Sequence, residues 1–546
     1  MSLTPSALTT MPHDPKDNED LSGVLEASPA EQHYRVQQDA ERDSDDHSRE
    51  FGMRQRVGLV VGPLAFLIML LLPTPEGMSW EAQRVAAVTL LMATWWISEA
   101  IPIPATSLLP IMLFPLLGVM STGQATSGYA NHLIFLFMGG FIIALAMQRW
   151  DLHRRIALHV IRVTGFSPGR LVFGFMLATA LLSAFVSNTA TTVMMLPIGM
   201  AVVQQMFAEV KASGRENREA GMRALSLNLM LGIAYAASIG GIATLIGTPP
   251  NTVLASYLAK TYDYEITFAK WLMVGVPLVC VFLPLVWIWL TRVANPMPGV
   301  EIPNAKQVID AELKEMGKMQ AGERWTLFVF SLTSCGWIFR PQLAALFPEP
   351  GMIKDASIAI AGALILFVIP VQFSKRIFVM DWEWAAKLPW GVLILFGGGL
   401  ALAEGFQVSG LASFIVGQIT IFENLPIFVV VLCVTALVIF LTELTSNTAT
   451  STMLMPVLAG IAIGLGQSPL ILLAPAALAA SCAFMLPVAT PPNAIVFGSG
   501  HVTIPQMVRS GFALNIIGII LIPLCLYFLF IPVFEIVLGN LPDWAQ

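Results

Sequence analysis

The residues best suited to hold a ligand come in two copies. Ser187-Asn188-Thr189 opens the run SNTATTVMMLP, from Ser187 to Pro197, and Ser446-Asn447-Thr448 opens SNTATSTMLMP, from Ser446 to Pro456. Seven of the eleven positions are identical, at an offset of 259 residues. The same offset carries Leu136, Phe137, Gly139, Gly140 and Ala144 onto Leu395, Phe396, Gly398, Gly399 and Ala403. A second pair follows: Thr248-Pro249-Pro250-Asn251 and Thr490-Pro491-Pro492-Asn493, offset by 242 because the first half carries an extra polar loop around Lys211 to Glu219. Hydroxyls and amides are neutral donors. At the start of a helix they join free N–H groups and the positive end of the dipole, a combination that suits an anion. Ser and Asn are also ordinary N-caps, and one copy alone would not decide between the two roles. Two copies in register, each followed by a Pro-Pro-Asn break in apolar sequence, point to a binding site in a carrier built from repeats.

What these stretches lack matters as much. Residues 171–210, 224–259 and 426–500 contain no Lys or Arg, and their only acids are Glu209 and Glu443. An anion held at membrane depth by neutral dipoles alone is poorly compensated. Free carbonyls at the helix breaks, with hydroxyls and Asn amides, are oxygen ligands for a hard cation such as sodium. The composition therefore predicts a site that takes cations first and an anion on top of them. Glu443 could orient the second motif, complete a cation shell or carry a proton; the orienting role is favoured. His132, His153 and His501 lie near predicted span ends and are assigned no chemistry. The five cysteines (Cys280, Cys335, Cys433, Cys482, Cys525) have no metal or redox spacing and read as small hydrophobes.

The elements that must position these motifs are membrane helices. The chain has 546 residues, 56% hydrophobic and 12% charged, against about 25% charged in soluble domains. Residues 1–50 hold twelve acids and four bases, so residues 1–52 read as a disordered acidic cytoplasmic tail, without the pattern of a cleavable leader. A bilayer span needs about 20 apolar residues. Eleven are placed at 57–73, 83–99, 102–119, 132–149, 224–259, 271–292, 325–346, 357–373, 389–404, 470–500 and 511–535. Two runs, 169–206 and 426–466, are too long for one span and hold the tripeptide mid-run. They read as re-entrant hairpins, and 224–259 and 470–500 as helices broken at Pro-Pro-Asn. With the N-terminus inside and the C-terminus outside, 24 of the 29 Lys and Arg fall on inner segments, as positive-inside bias requires. Five spans separate the two repeated segments, so the second hairpin opens from the opposite face. The predicted fold is all-α and polytopic: a first half, 53–324, and an inverted second half, 325–546, with the hairpin tips meeting near the midplane. Segment 151–163 reads as an interfacial helix, 303–319 as a solvated cytoplasmic connector, and Trp95, Trp96, Trp382, Trp384 and Trp390 as an aromatic belt.

At these motifs the chain resembles the divalent anion/sodium symporter family, the solute carrier 13 group. The resemblance runs from about residue 55 to the end and includes GTPPN, Gly247 to Asn251, and ASCAFMLPVATPPNAIV, Ala480 to Val496. It implies an elevator-type homodimer in the bilayer, with sodium co-transported rather than held as a cofactor. It places substrate contacts at Ser187, Asn188, Thr189, Ser446, Asn447, Thr448, Thr490 and Pro491. One sodium site is implied around Ser183, Ser187, Asn188, Gly240 and Gly241, and the other around Thr442, Thr445, Asn447 and Ala489. Ser183 and Thr442 favour sodium coupling over the family's sodium-independent exchangers, and Thr448 tilts the substrate toward C4-dicarboxylates such as succinate, malate and fumarate.

The expected function is sodium-coupled dicarboxylate symport across the cell membrane. Sulfate or citrate symport, sodium-independent exchange and an anion channel stay open. No nucleophile–base pair, metal spacing, phosphate loop or nucleic-acid signature is present to suggest an enzyme or a nucleic-acid partner. The cation-first argument makes one demand: anion uptake must collapse when external sodium is replaced by choline, and uptake unchanged by that replacement contradicts it.

Overall fold

The computed structural model describes residues 52–213, 219–297, 304–417 and 425–545. The acidic tail, apart from Gly52, and the middle of the loop after Lys211 lie outside them.

The chain starts with a tight pair, α1 (Met53–Leu71) and α2 (Trp80–Ser98). Gly58 and Gly62 of α1 leave room for Ser98 and Trp95, which a Cβ at either glycine would strike. The span predicted at 102–119 is two short helices, α3 (Ile103–Thr106) and α4 (Leu109–Leu116). The reason is local: Pro110 has no N–H to continue α3 and sits in the first turn of α4, where none is needed. α5 (Thr122–Ser127) is capped by a reciprocal Ser121–Gln124 box, and α6 (His132–Arg149) by Asn131. Then come α7 (Leu152–Thr164), α8 (Pro168–Ser183), α9 (Asn188–Ser213), α10 (Glu219–Gly241), α11 (Pro249–Tyr262), α12 (Phe268–Ile288) and the connector helix α13 (Ala305–Glu315).

The second half holds α14 (Ala321–Ile338), α15 (Arg340–Ala344) and α16 (Asp355–Val368). A small antiparallel ribbon follows, β1 (Pro370–Gln372) and β2 (Ile377–Phe378), which hydropathy gave no sign of. Next are α17 (Trp382–Ala385), α18 (Trp390–Ser409), α19 (Leu411–Gly417), α20 (Ile427–Thr442), α21 (Asn447–Gly464), α22 (Leu470–Ala480), α23 (Pro491–Gly498), α24 (Ile504–Cys525) and α25 (Ile531–Val533). Among the described residues, seven helices are long and apolar enough to cross a membrane. Each overlong run is two helices joined at a short turn, Ala184–Ser187 in one and Glu443–Ser446 in the other.

The halves interlock. α23 packs on α9 and α10 of the first half, and α11 packs on α21 of the second. The most apolar stretch of α10 is 94% buried, that of α1 only 11%, so α10 is a core helix and α1 faces the surroundings. There are two apolar clusters. The smaller joins Val85, Met92 and Trp96 of α2 with Phe114, Leu402 and Phe406, and the larger holds the interlocked helices.

Two surface expectations change. The arginines of α7 are committed to protein carboxylates: Arg154 to Glu312, Arg155 two-pronged to Glu323, and Arg162 to Asp310 at 3.2 Å. Helix α13 is therefore docked on α7 rather than merely solvated. Trp96 and Trp384, expected in an aromatic belt, are 1% and 6% exposed and pack in the interior. Both sit near helix ends, where sequence does not separate a belt tryptophan from a packed one.

Between α11 and α12, Glu265 accepts hydrogen bonds from Arg340 and Lys354, each at 2.6 Å. Burial pushes its carboxyl up, but the Lys354 and Arg340 hydrogen bonds and charges outweigh that and hold it below the ordinary glutamate value. A depressed carboxyl contributes its stability above the unfolded value, about 4.3, and loses it as pH falls through the lowered one. Glu265→Gln is expected to cost about 1–3 kcal/mol at neutral pH. It should also remove the part of the acid-side loss that wild type shows, measured by thermal unfolding in detergent at a series of pH values.

Candidate functional site

Each tripeptide is the first turn of a helix. Ser187 accepts the Thr191 amide at 3.0 Å through its carbonyl and the Ala190 amide at 3.3 Å through its hydroxyl, so it is the N-cap of α9. The Ser446 carbonyl accepts the Thr450 amide at 2.9 Å, but its hydroxyl caps nothing. Among the described residues, the hydroxyls of Thr189, Ser446 and Thr448 and the Nδ2 groups of Asn188 and Asn447 have no protein partner. These donors, with the first amides of α9 and α21, can receive an anion.

Behind each tripeptide lies a cluster of oxygens. The Ser183 hydroxyl is 2.6 Å from Asn188 Oδ1 and 2.7 Å from the Ala237 carbonyl oxygen. The Thr442 hydroxyl is 2.7 Å from Asn447 Oδ1 and 3.1 Å from the Ala480 carbonyl oxygen. A hydroxyl has one proton, and neither of its neighbours in each cluster has any to give. With Oδ1 inward, one short oxygen–oxygen approach in each cluster is left without a hydrogen, and a hard cation among oxygen ligands would suit that orientation. Ser183 and Thr442 are fully buried.

The first cluster continues into the break after α10. A Cβ on Gly241 would lie 2.8 Å from Asn188 Oδ1 and 3.0 Å from the Gly247 carbonyl oxygen, and one on Gly247 would lie 2.9 Å from the Ala184 carbonyl oxygen. Only glycine leaves this oxygen-lined space open. Gly240 has a packing role: its Cβ would strike the Ala180 backbone of α8 at 2.4 Å.

The breaks are tied by side chains. Asn251, fully buried, donates to the Thr244 carbonyl at 2.8 Å and more weakly to Gly241 and Ile242. Asn493 does the same in the second half, to Ala483 at 3.1 Å and Leu486 at 3.0 Å. Glu443, 3% exposed, accepts from the amides of Phe484 at 2.7 Å, Met485 at 2.9 Å and Leu486 at 3.1 Å, and from Asn515 Nδ2 at 2.8 Å. This is the orienting geometry favoured for Glu443, though it acts on the second break as well as on its own turn. The two breaks touch: Thr248 Oγ1 lies 3.4 Å from Ser481 Oγ, and the rings of Tyr235 and Phe484 meet edge to face.

Most of the residues named from sequence come together here. Thr445 is turned toward Leu441 and Thr450, to which its hydroxyl bonds. Thr490 caps α23 by accepting the Asn493 amide, with Pro491 exposed beside it. Ala489 bonds back to Leu486, while Ala480 supplies the carbonyl at Thr442. Ala237, Ala480 and Asn515 were missed. A backbone carbonyl carries no side-chain signature, and Asn515 sits in the last apolar span, far from either motif.

An internally duplicated, multi-spanning membrane carrier, with oxygen clusters beneath paired helix N-termini, is the class of protein this arrangement defines. The profile of the sodium:sulfate symporter transmembrane region matches residues 54–536, and the chain belongs to that family. It is 46% identical over 490 residues to the sodium-dependent dicarboxylate transporter SdcS of Staphylococcus saprophyticus, covering 90% of this chain and 94% of that one. It is also 46% identical over 492 residues to SdcS of Staphylococcus aureus, covering 90% and 93%. Two solved transporters share the fold. The Alcanivorax borkumensis YdaH transporter has TM-score 0.55 and 16% identity, with 80% of this chain and 97% of that one covered. Neisseria gonorrhoeae MtrF has TM-score 0.53 and 14% identity, with 88% and 97% covered.

Each motif asparagine turns its oxygen inward and its amide hydrogens outward, so its removal would take away an acceptor on one side and a donor on the other. Asn188→Ala and Asn447→Ala should each fold and insert, yet lose about 1.5–3 kcal/mol of ligand binding, roughly ten- to hundredfold. The half-saturating concentrations of sodium and of the anion should rise together. Near-normal transport by both variants would dismiss this site.

Proposed function

We propose that the protein is a secondary active carrier coupling sodium entry to uptake of C4-dicarboxylates such as succinate, malate and fumarate. The observation that carries this reading is the doubled arrangement of Ser183 with Asn188 and Thr442 with Asn447, each an oxygen cluster behind a donor-rich helix start. Sodium is cargo here. One ion is held by Ser183, Asn188 and carbonyls near Gly240 and Gly241, with Ser187 at the rim. The other is held by Thr442, Asn447 and the Ala480 carbonyl, with Thr445 and Ala489 shaping the pocket. The dianion then rests on Ser187, Asn188, Thr189, Ser446, Asn447 and Thr448, with Thr490 and Pro491 alongside. Its two negative charges meet neutral donors and the positive charge of the ions beneath, which balances a site without cationic side chains.

The finer architecture follows the same reading. There are eleven transmembrane helices, with the N-terminus cytoplasmic and the C-terminus outside, and α8–α9 and α20–α21 are re-entrant hairpins from opposite faces. An elevator-type movement in a homodimer within the bilayer belongs to the same reading. The names of the staphylococcal relatives support dicarboxylate as the substrate, while the family description keeps sulfate as the competitor to test.

The deciding experiment is uptake of labelled succinate into proteoliposomes under an imposed sodium gradient. Uptake should need the gradient and be competed by malate and fumarate, and weakly by citrate or sulfate. Stronger competition by sulfate would replace the dicarboxylate assignment, and uptake without sodium would replace the coupling.

A further inference from the structure

A cation touches the tip of the second hairpin, and it comes from the other end of the chain. Arg54, in the first turn of α1, donates from Nη1 to the carbonyl oxygen of Leu444 at 3.0 Å. Leu444 lies in the turn between α20 and α21, two residues before Ser446. The same guanidinium pairs with Glu99 at 3.2 Å and donates from Nε to the Ser98 carbonyl at 3.3 Å, both at the end of α2. Glu99 is held at a φ of 51°, a left-handed conformation uncommon outside glycine. The α1–α2 pair thus presents one fixed arginine to the tip that carries Thr445, Ser446 and Asn447.

The level of this contact is informative. α20 has 16 residues, about 24 Å at 1.5 Å per residue, against a hydrocarbon core of about 30 Å. In the orientation proposed above it enters from outside. Arg54 is the second residue of α1, at that helix's inner end. A tip bonded to Arg54 has therefore descended well past the midplane. The carbonyls that end α20 also form the negative end of its dipole, where a guanidinium is favoured.

The geometry points to Arg54 as a positioning residue that clamps the second hairpin in the inner position of the transport cycle. This rests on the carrier reading above. The clamp must break when the hairpin rises, because Ser98 and Glu99 keep the guanidinium on the α1–α2 pair. Arg54→Gln removes the charge and most of the fork, which shifts the population toward the outward-open state. Apparent affinity scales with the competent fraction. The half-saturating succinate concentration should fall for uptake and rise for efflux, each by roughly three- to tenfold, as loss of one charge-assisted hydrogen bond allows. Arg54→Lys should restore part of both shifts.

The test pairs these kinetics, in proteoliposomes of full-length protein, with cross-linking of Arg54→Cys and Leu444→Cys by a bifunctional methanethiosulfonate reagent about as long as an arginine side chain. The contact is made by the far end of Arg54, and a direct disulfide would not span it. The background has Cys280, Cys335 and Cys433 replaced by alanine. The reagent should bridge the pair and stop transport, and a reductant, which cleaves its mixed disulfides, should restore it. Cross-linked protein that transports at full rate, or a pair that never cross-links, would overturn the clamp. So would half-saturation values that stay fixed or move in the same direction on both faces. A wild-type protein without sodium-driven flux would instead overturn the carrier reading, which separates the two failures.

Discussion

The structure depends on a problem of unpaired backbone. The chain is interrupted at two turns, Ala184–Ser187 and Glu443–Ser446, and at two breaks, after Gly241 and after Ala480. Each interruption frees carbonyls and amides that helix would otherwise pair, and each freed group is expensive where water is scarce. Several buried polar side chains serve these points. Asn251 and Asn493 hold the carbonyls of the two breaks, Thr244 holds the Ala184 carbonyl, and Glu443 gathers three amides in a row. What stays unheld is the useful remainder: donors facing one way and oxygens facing the other.

That remainder explains why cation and anion would bind together. A carboxamide has an acceptor end and a donor end, set by one rotamer. In Asn188 and Asn447 the acceptor lies inward, beside Ser183 and Thr442, and the donor faces outward. An ion drawn to the inner oxygens would hold the side chain in the orientation the anion needs. Coupling then requires no long-range path, because both ligands bias the same torsion of the same residue.

Much of this was legible in the sequence, for physical reasons that also mark where legibility stops. Hydropathy located the helices because lipid-facing and core helices alike must be apolar. The Pro-Pro-Asn pairs located the breaks because proline cannot continue a helix. The repeat located the tripeptides, and Ser183 and Thr442 came from resemblance. Backbone ligands were harder: Ala480 supplies its carbonyl through its place at the end of α22, not through its side chain, and Ala489 was named instead. The docking of α13 on α7 was hidden too, since arginines facing lipid headgroups and arginines facing carboxylates occupy the same helical stripe. Arg54 was counted as one more inner charge, and no spacing joins it to a turn 390 residues away.

The repeat is close in sequence, yet the two sites differ in charge. At the 259-residue offset Glu443 falls on Ala184. In the first half, the Ala184 carbonyl joins the oxygens around Gly247 and accepts from Thr244. In the second, the matching residue places a carboxylate next to Thr442 and fastens the whole loop from Phe484 to Leu486. Four donors satisfy it, and none of them is a cationic side chain. An ionised Glu443 would make the surroundings of the second oxygen cluster more negative, and its four hydrogen bonds tie the neighbouring loop. A cation there is favoured by both, because attraction is strong where the dielectric is low and little ordering remains to be done. The first cluster has no such acid and relies on Ser183, Asn188 and the backbone carbonyls around them. The two turns thus share a shape yet differ in charge, and the acid lies on the turn that Arg54 also contacts.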